Sequence, residues 1–169
     1  MSLPDAEAAA ETRAAVTIGR PATDLRELWL RPTTQTAIWS HFAVVSAEKN
    51  GSADWSVSGS AFGTYRWRTV LMEDEPDRLR WSSQEGADLP NTGVLIFRPA
   101  PGDRGTELHL DVHFDPPGGA IGAALGKLFH LAPREIVLTA LYKFRALAVT
   151  GEIPTTDPQP AARKAGADR

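Results

Sequence analysis

The chain has 169 residues, 42% of them apolar and 23% charged, with no cysteine and a formal net charge of −3. That length and balance predict a soluble single domain with a real core, and they exclude disulfides, thiolate chemistry and cysteine-ligated metals. The slight acidity offers no electrostatic footprint for nucleic acid.

Residues 1–13 are rich in Ala and acids, and residues 155–169 in Pro, Ala and charge. This composition predicts disordered tails on either side of one domain over residues 14–154. Asp5, Glu7 and Glu11 interrupt the start of the chain, which does not read as a secretory leader. The longest apolar stretch, around Ala120 to Ala132, carries Lys127 and His130 and falls short of the roughly 20 residues a membrane span needs. A cytoplasmic protein not integral to a membrane is the expectation.

Ala14–Gly19 predicts a short strand. Pro21 and Thr23 open a helix with Leu25, Leu28 and Trp29 on one face, which Pro32 ends. Thr34–Trp39 predicts a second short helix. From there the period changes to two, with strands over Phe42–Glu48, Ala53–Ser58, Thr64–Met72, Arg78–Ser83, Gly93–Arg98 and Thr106–Phe114. Turn-rich segments separate them, and Asn50-Gly51 is the sharpest hairpin signal. The acidic run Glu73, Asp74, Glu75 and Asp77 reads as a solvated turn. Beyond Gly118-Gly119, Pro133 suits the first turn of a long helix that keeps Ile136, Val137, Ala140, Leu141, Phe144, Leu147 and Ala148 on one face. Gly151 and Pro154 stop it.

This order predicts an α+β fold: a curved antiparallel sheet of about seven strands against a long C-terminal helix, with two short helices after the first strand. A helix is about 10–12 Å across, whereas six strands span nearly 30 Å. The sheet must curl, and a single helix does not fill what it encloses. An internal cavity is therefore expected.

Alternation assigns the faces. Leu108, Leu110, Val112 and Phe114 oppose Glu107, His109, Asp111 and His113. Tyr65, Trp67, Thr69 and Leu71 oppose Arg66, Arg68 and Val70, while Leu79, Trp81 and Ser83 oppose Arg80 and Ser82. Leu95, Phe97, Trp55 and Val57 complete an apolar concave face. The cavity-lining candidates are His41, Trp55, Tyr65, Trp67, Thr69, Trp81, Ser83, Leu95, Phe97, Leu110, Phe114, Phe129, Leu141 and Phe144. Tyr65, Ser83, Thr69 and His41 are the polar ones, and the glycine-rich segment Gly118 to Ala132 is a candidate gate.

His109-x-Asp111-x-His113 places imidazole, carboxylate and imidazole on one strand face, a zinc- or iron-like pattern. The same parity sets it opposite the apolar residues, where a solvated sheet face is expected. No metal or cofactor is expected. The exposed apolars Val70, Val94 and Ile96 mark a candidate homodimer patch.

Four places carry a family resemblance. They are Ser40-His41-Phe42, the segment Trp55 to Gly59, the pair Tyr65-Arg66-Trp67 and Arg80-Trp81-Ser82, and Pro116 to Ala120 through to Thr150–Thr156. In these the chain resembles the helix-grip proteins of the START and birch-pollen-allergen-like (SRPBCC) superfamily. Within it, the chain resembles the bacterial polyketide cyclase/dehydrase and coenzyme-Q-binding-like branch. The resemblance implies a cavity for a lipid, quinone, isoprenoid, fatty acid or polyketide, and transient membrane contact for a carrier of such a ligand. The interior inventory holds few acids and bases, so a non-enzymatic hydrophobic-ligand binder is the expectation. The alternative is a metal-free cyclase, aromatase or dehydratase in which Tyr65 or His41 handles protons.

Overall fold

The computed structural model describes residues 10–59, 63–115 and 133–153. In chain order the elements are β1 (Ala10–Ile18), α1 (Ala22–Trp29), α2 (Pro32–Ile38), β2 (Val44–Ala47), β3 (Ala53–Gly59), β4 (Gly63–Glu75), β5 (Arg78–Ser83), β6 (Asn91–Pro99), β7 (Thr106–Phe114) and α3 (Pro133–Thr150). A 3₁₀ turn, Pro101–Asp103, joins β6 to β7. The seven strands form one antiparallel sheet in the order β1-β7-β6-β5-β4-β3-β2. It curls into a half-barrel with the helices on its concave side, the α+β architecture expected from the order of elements.

The strands follow the alternation. Along β7 every second residue from Thr106 to Phe114 is buried and those between are half-exposed, the signature of a sheet with one wet face. β5 and β7 have the expected bounds, and β2 is shorter, at four residues. β1 begins at Ala10 rather than Ala14. Its first residues pair with the far end of β7, Ala10 opposite Phe114 and Arg13 opposite Asp111, so ladder hydrogen bonds override the low strand propensity of Ala and Glu.

Two further boundaries differ from expectation for electrostatic and steric reasons. Pro32 opens α2 at its first position instead of merely ending α1, where a missing N–H and a fixed φ suit a helix start. The acidic residues Glu73, Asp74 and Glu75 lie inside β4 rather than in a turn. Arginines face them: Glu73 pairs with Arg78 at 3.1 Å and Arg80 at 3.0 Å, and Asp74 pairs with Arg26. A register shift between Leu71 and Glu73 marks a β-bulge where the strand bends.

α3 buries Ile136, Val137, Ala140, Leu141, Phe144 and Ala148, whereas Leu147 is only half-buried. α1 adds Leu25 and Trp29, and α2 adds Ile38, to the same core. The cavity argument set one helix against the sheet. Among the described residues the structure sets three there, and all three contribute buried side chains to the core. Among the described residues no helix is long and apolar enough to cross a membrane.

Candidate functional site

The concave interior is built from aromatic rings in contact. Trp29 meets Phe144 edge-on at 5.1 Å and lies 6.3 Å from Trp81. Trp39 meets Trp55 at 5.4 Å, and Trp55 stacks on Trp67 at 5.8 Å and 10°. Phe42 sits among Trp55, Trp67 and Phe114 at 6.1 to 6.5 Å. Register explains the stack, because Trp55 of β3 and Trp67 of β4 are direct cross-strand partners. Trp29, Trp39 and Phe42 were not among the sequence candidates. Their signal was present but indirect: each lies in or just after a short helix whose apolar side faces the sheet.

A pocket of about 30 Å³ opens between the α1–α2 corner and the β2–β3 hairpin. Leu30 and Gln35 form one lip, and Ala47, Glu48 and Gly51 the other. Trp29, Trp55, Thr69 and Trp81 form its inner wall. Gly51 has φ +88°, and a Cβ there would stand 3.0 Å from Leu71, so the hairpin presses close against the sheet. The volume suits one or two waters.

Hydrogen bonding in this region is selective. Trp39 Nε1 donates to Gln35 Oε1 at 3.0 Å, and Gln35 Nε2 donates to the Trp29 carbonyl at 2.7 Å. Trp55 Nε1 donates to Thr69 Oγ1 at 3.0 Å, and Thr69 is 2% exposed. The Trp67 indole N–H is buried with no hydrogen-bond partner, a state that destabilises by about 1–3 kcal/mol when nothing fills it.

The sequence candidates thus separate. Trp55, Thr69 and Trp81 border the pocket, Trp67 stacks behind Trp55, and Phe114 meets Phe42. Leu95, Phe97, Leu110, Leu141 and Phe144 are deeply buried core residues. Tyr65 is half-buried opposite Val57. Ser83 Oγ accepts the Asn91 backbone N–H at 3.0 Å. Phe129, His130 and the candidate gate Gly118 to Ala132 lie outside the described residues, as do the tails before residue 10 and beyond residue 153.

His41 bridges the segment after α2 to α3. Its Nε2 lies 2.9 Å from the Ile136 carbonyl, and Lys143 Nζ lies 3.3 Å from Nδ1. A carbonyl only accepts and an ammonium only donates, so Nε2 carries the proton and Nδ1 does not. Burial pushes the imidazole below its ordinary value, the Ile136 bond pulls it partly back, and the Lys143 charge lowers it further. Burial also lowers Lys143. While both contacts hold, no lone pair on His41 is available to abstract a proton.

On the convex face Asp111 is held by Arg13 at 3.0 Å, and His109 Nε2 contacts Glu107 Oε1. Among the described residues no three His, Asp or Glu side chains gather as metal ligands. A larger cleft of about 480 Å³ crosses β2, β3 and β4 on that face. It is open to solvent, and its Arg68 is occupied by Glu48 at 2.6 Å and Asp54 at 3.0 Å.

No family model matches this sequence, and no curated protein does. A crystal structure of DR_A0006 from Deinococcus radiodurans matches with 30% identity and a TM-score of 0.65, over 85% of this chain and 99% of that one. The chain belongs to the family of that Deinococcus protein. TTHA0849 from Thermus thermophilus shares the fold at 19% identity and a TM-score of 0.64, over 85% of this chain and 99% of that one. KanY, solved in solution, shares it at 12% identity and a TM-score of 0.61, over 82% of this chain and 97% of that one. Each match spans nearly the whole neighbour, so the half-barrel fold described above is the unit these proteins share.

Proposed function

We propose that this chain binds a small apolar molecule in its concave interior, taken in between the α1–α2 corner and the β2–β3 hairpin. The observation that carries this reading is the pocket there, with an aromatic inner wall and one buried hydroxyl, Thr69, on it. At about 30 Å³ it admits a ligand only if a wall moves. Trp81 is the wall best able to do so, being half-buried where Trp55 is buried. Burying about 200 Å² of apolar ligand surface would contribute about 5 kcal/mol before the cost of that displacement. The resemblance to START and birch-pollen-allergen-like proteins supports the same reading and favours lipid, quinone, isoprenoid or polyketide ligands. A role in transport or sequestration in the cytoplasm follows from it. A cyclase-type reaction through His41 would first have to break two contacts.

Native mass spectrometry with organic extraction tests the proposal on protein purified from a bacterial host. A stoichiometric apolar compound, released together with a shift in tryptophan emission, is the expected result. Protein that is empty, and whose emission does not respond to a panel of fatty acids, isoprenoids and aromatic ketones, overturns it.

A further inference from the structure

Of the two stacked indoles, one N–H is satisfied and the other is not. Trp55 Nε1 donates to Thr69, whereas Trp67 Nε1 has no hydrogen-bond partner although Trp67 is only 5% exposed. An indole nitrogen is a donor only, so water or an acceptor must normally meet it when it is buried. The ring of Phe42, 6.1 Å away and tilted by 46°, is at most a weak acceptor. Trp67 stands two residues from Thr69 on the same face of β4, about 6–7 Å along the strand from the pocket wall.

We propose that the Trp67 indole N–H is the polar anchor of the interior, taking an acceptor-only oxygen, a ketone or ether, of the bound molecule. The inference rests on the binding reading above and specifies its ligand class: an apolar, preferably flat body whose oxygen lies beyond the pocket wall. Flatness follows from the rings that would receive it, since Trp55 and Trp67 are stacked within 10° and offer faces for offset stacking. A cationic ligand gains nothing, because a donor facing a donor leaves both unpaired, and a hydroxyl that accepts from the indole must still find an acceptor for its own hydrogen.

The test compares naphthalene with 1-acetonaphthone, which share a fused ring and differ in the ketone. Dissociation constants are measured by calorimetry on the full chain, its Trp67→Phe variant and its Trp55→Phe variant. The indole ¹H–¹⁵N resonances of the wild type are followed in parallel. We expect the preference for the ketone to fall about 3- to 10-fold in Trp67→Phe and to persist in Trp55→Phe. The Trp67 indole proton should move downfield with acetonaphthone and not with naphthalene. An unchanged preference in Trp67→Phe, or a Trp67 resonance that responds alike to both probes, overturns the anchor while leaving the binding reading intact. If neither probe binds, the anchor for a flat ketone is overturned, and the binding reading stands or falls on the extraction and ligand panel above.

Discussion

Gly93→Ala sets two effects of opposite sign against each other at one site. Gly93 lies in β6 directly across from Trp81 of β5. Glycine within a strand is less stable than alanine by about 0.5–1 kcal/mol, and φ at Gly93 lies outside the positive range, so the backbone itself favours the change. The indole opposes it. A Cβ at this position would lie 2.1 Å from Trp81 Cζ2 and 2.2 Å from Cε2. Carbon atoms settle at about 3.5–4.0 Å, so the ring must retreat by about 1.5 Å towards Trp29. Overpacking of this kind destabilises by about 1–3 kcal/mol, which outweighs the propensity gain. We expect a net loss of about 1–2 kcal/mol, read as a fall in Tm of about 3–6 °C. In a Trp81→Ala background the obstacle is gone, and the same substitution should stabilise by about 0.5–1 kcal/mol. Urea unfolding of the four proteins measures both numbers. A Gly93→Ala protein as stable as the wild type, with Trp81 present, would refute the reasoning.

Thr69→Val leaves the Trp55 N–H buried without its acceptor and should destabilise by about 1–3 kcal/mol in urea unfolding. Thr69→Val combined with Trp55→Phe removes both partners and should recover much of that loss. Phe144→Ala, at a fully buried ring packed edge-on against Trp29, should destabilise by about 3–5 kcal/mol, checked by the same method. His41 gives a pH dependence. Its folded value lies below the unfolded one, so the unfolded chain takes up the proton first as pH falls. Stability is full above the unfolded value of about 6.5 and declines as pH drops through it towards the folded value. The urea midpoint of the wild type should therefore fall more steeply between about pH 7.5 and 5.5 than that of His41→Gln.

What could be read from the residues was what repeats along the chain. Period-two alternation located β3 to β7 and put Trp55, Trp67, Thr69 and Leu110 on the inner face, because pleating alone decides which way those side chains point. Where a partner far along the chain decides, the pattern was silent. Ala10–Arg13 carry no strand signal and become β1 only by lying against Asp111–Phe114. Glu73–Asp74 resemble a turn until Arg26, Arg78 and Arg80 arrive from other elements. The site shows the same divide. The inward tryptophans were evident from parity. The use of His41 to tie the α2 corner to α3, and the unequal hydrogen bonding of two neighbouring indoles, depend on angles between elements that no spacing encodes.

The pairing of β1 with β7 also bears on how the chain is made. Strands β2 through β6 join neighbours through short connections, so each hairpin can form as soon as its second strand leaves the ribosome. β1 emerges first, yet its strand partner among the described residues comes about a hundred positions later, with Ala14 opposite Leu110. α3, which also packs on β1, comes later still. At about 5–20 residues per second the first strand waits some seconds with its ladder groups unpaired. Closure of the long loop then limits the final step. The nascent chain should therefore pass through a stage in which the β2–β6 meander is formed and β1 is still free.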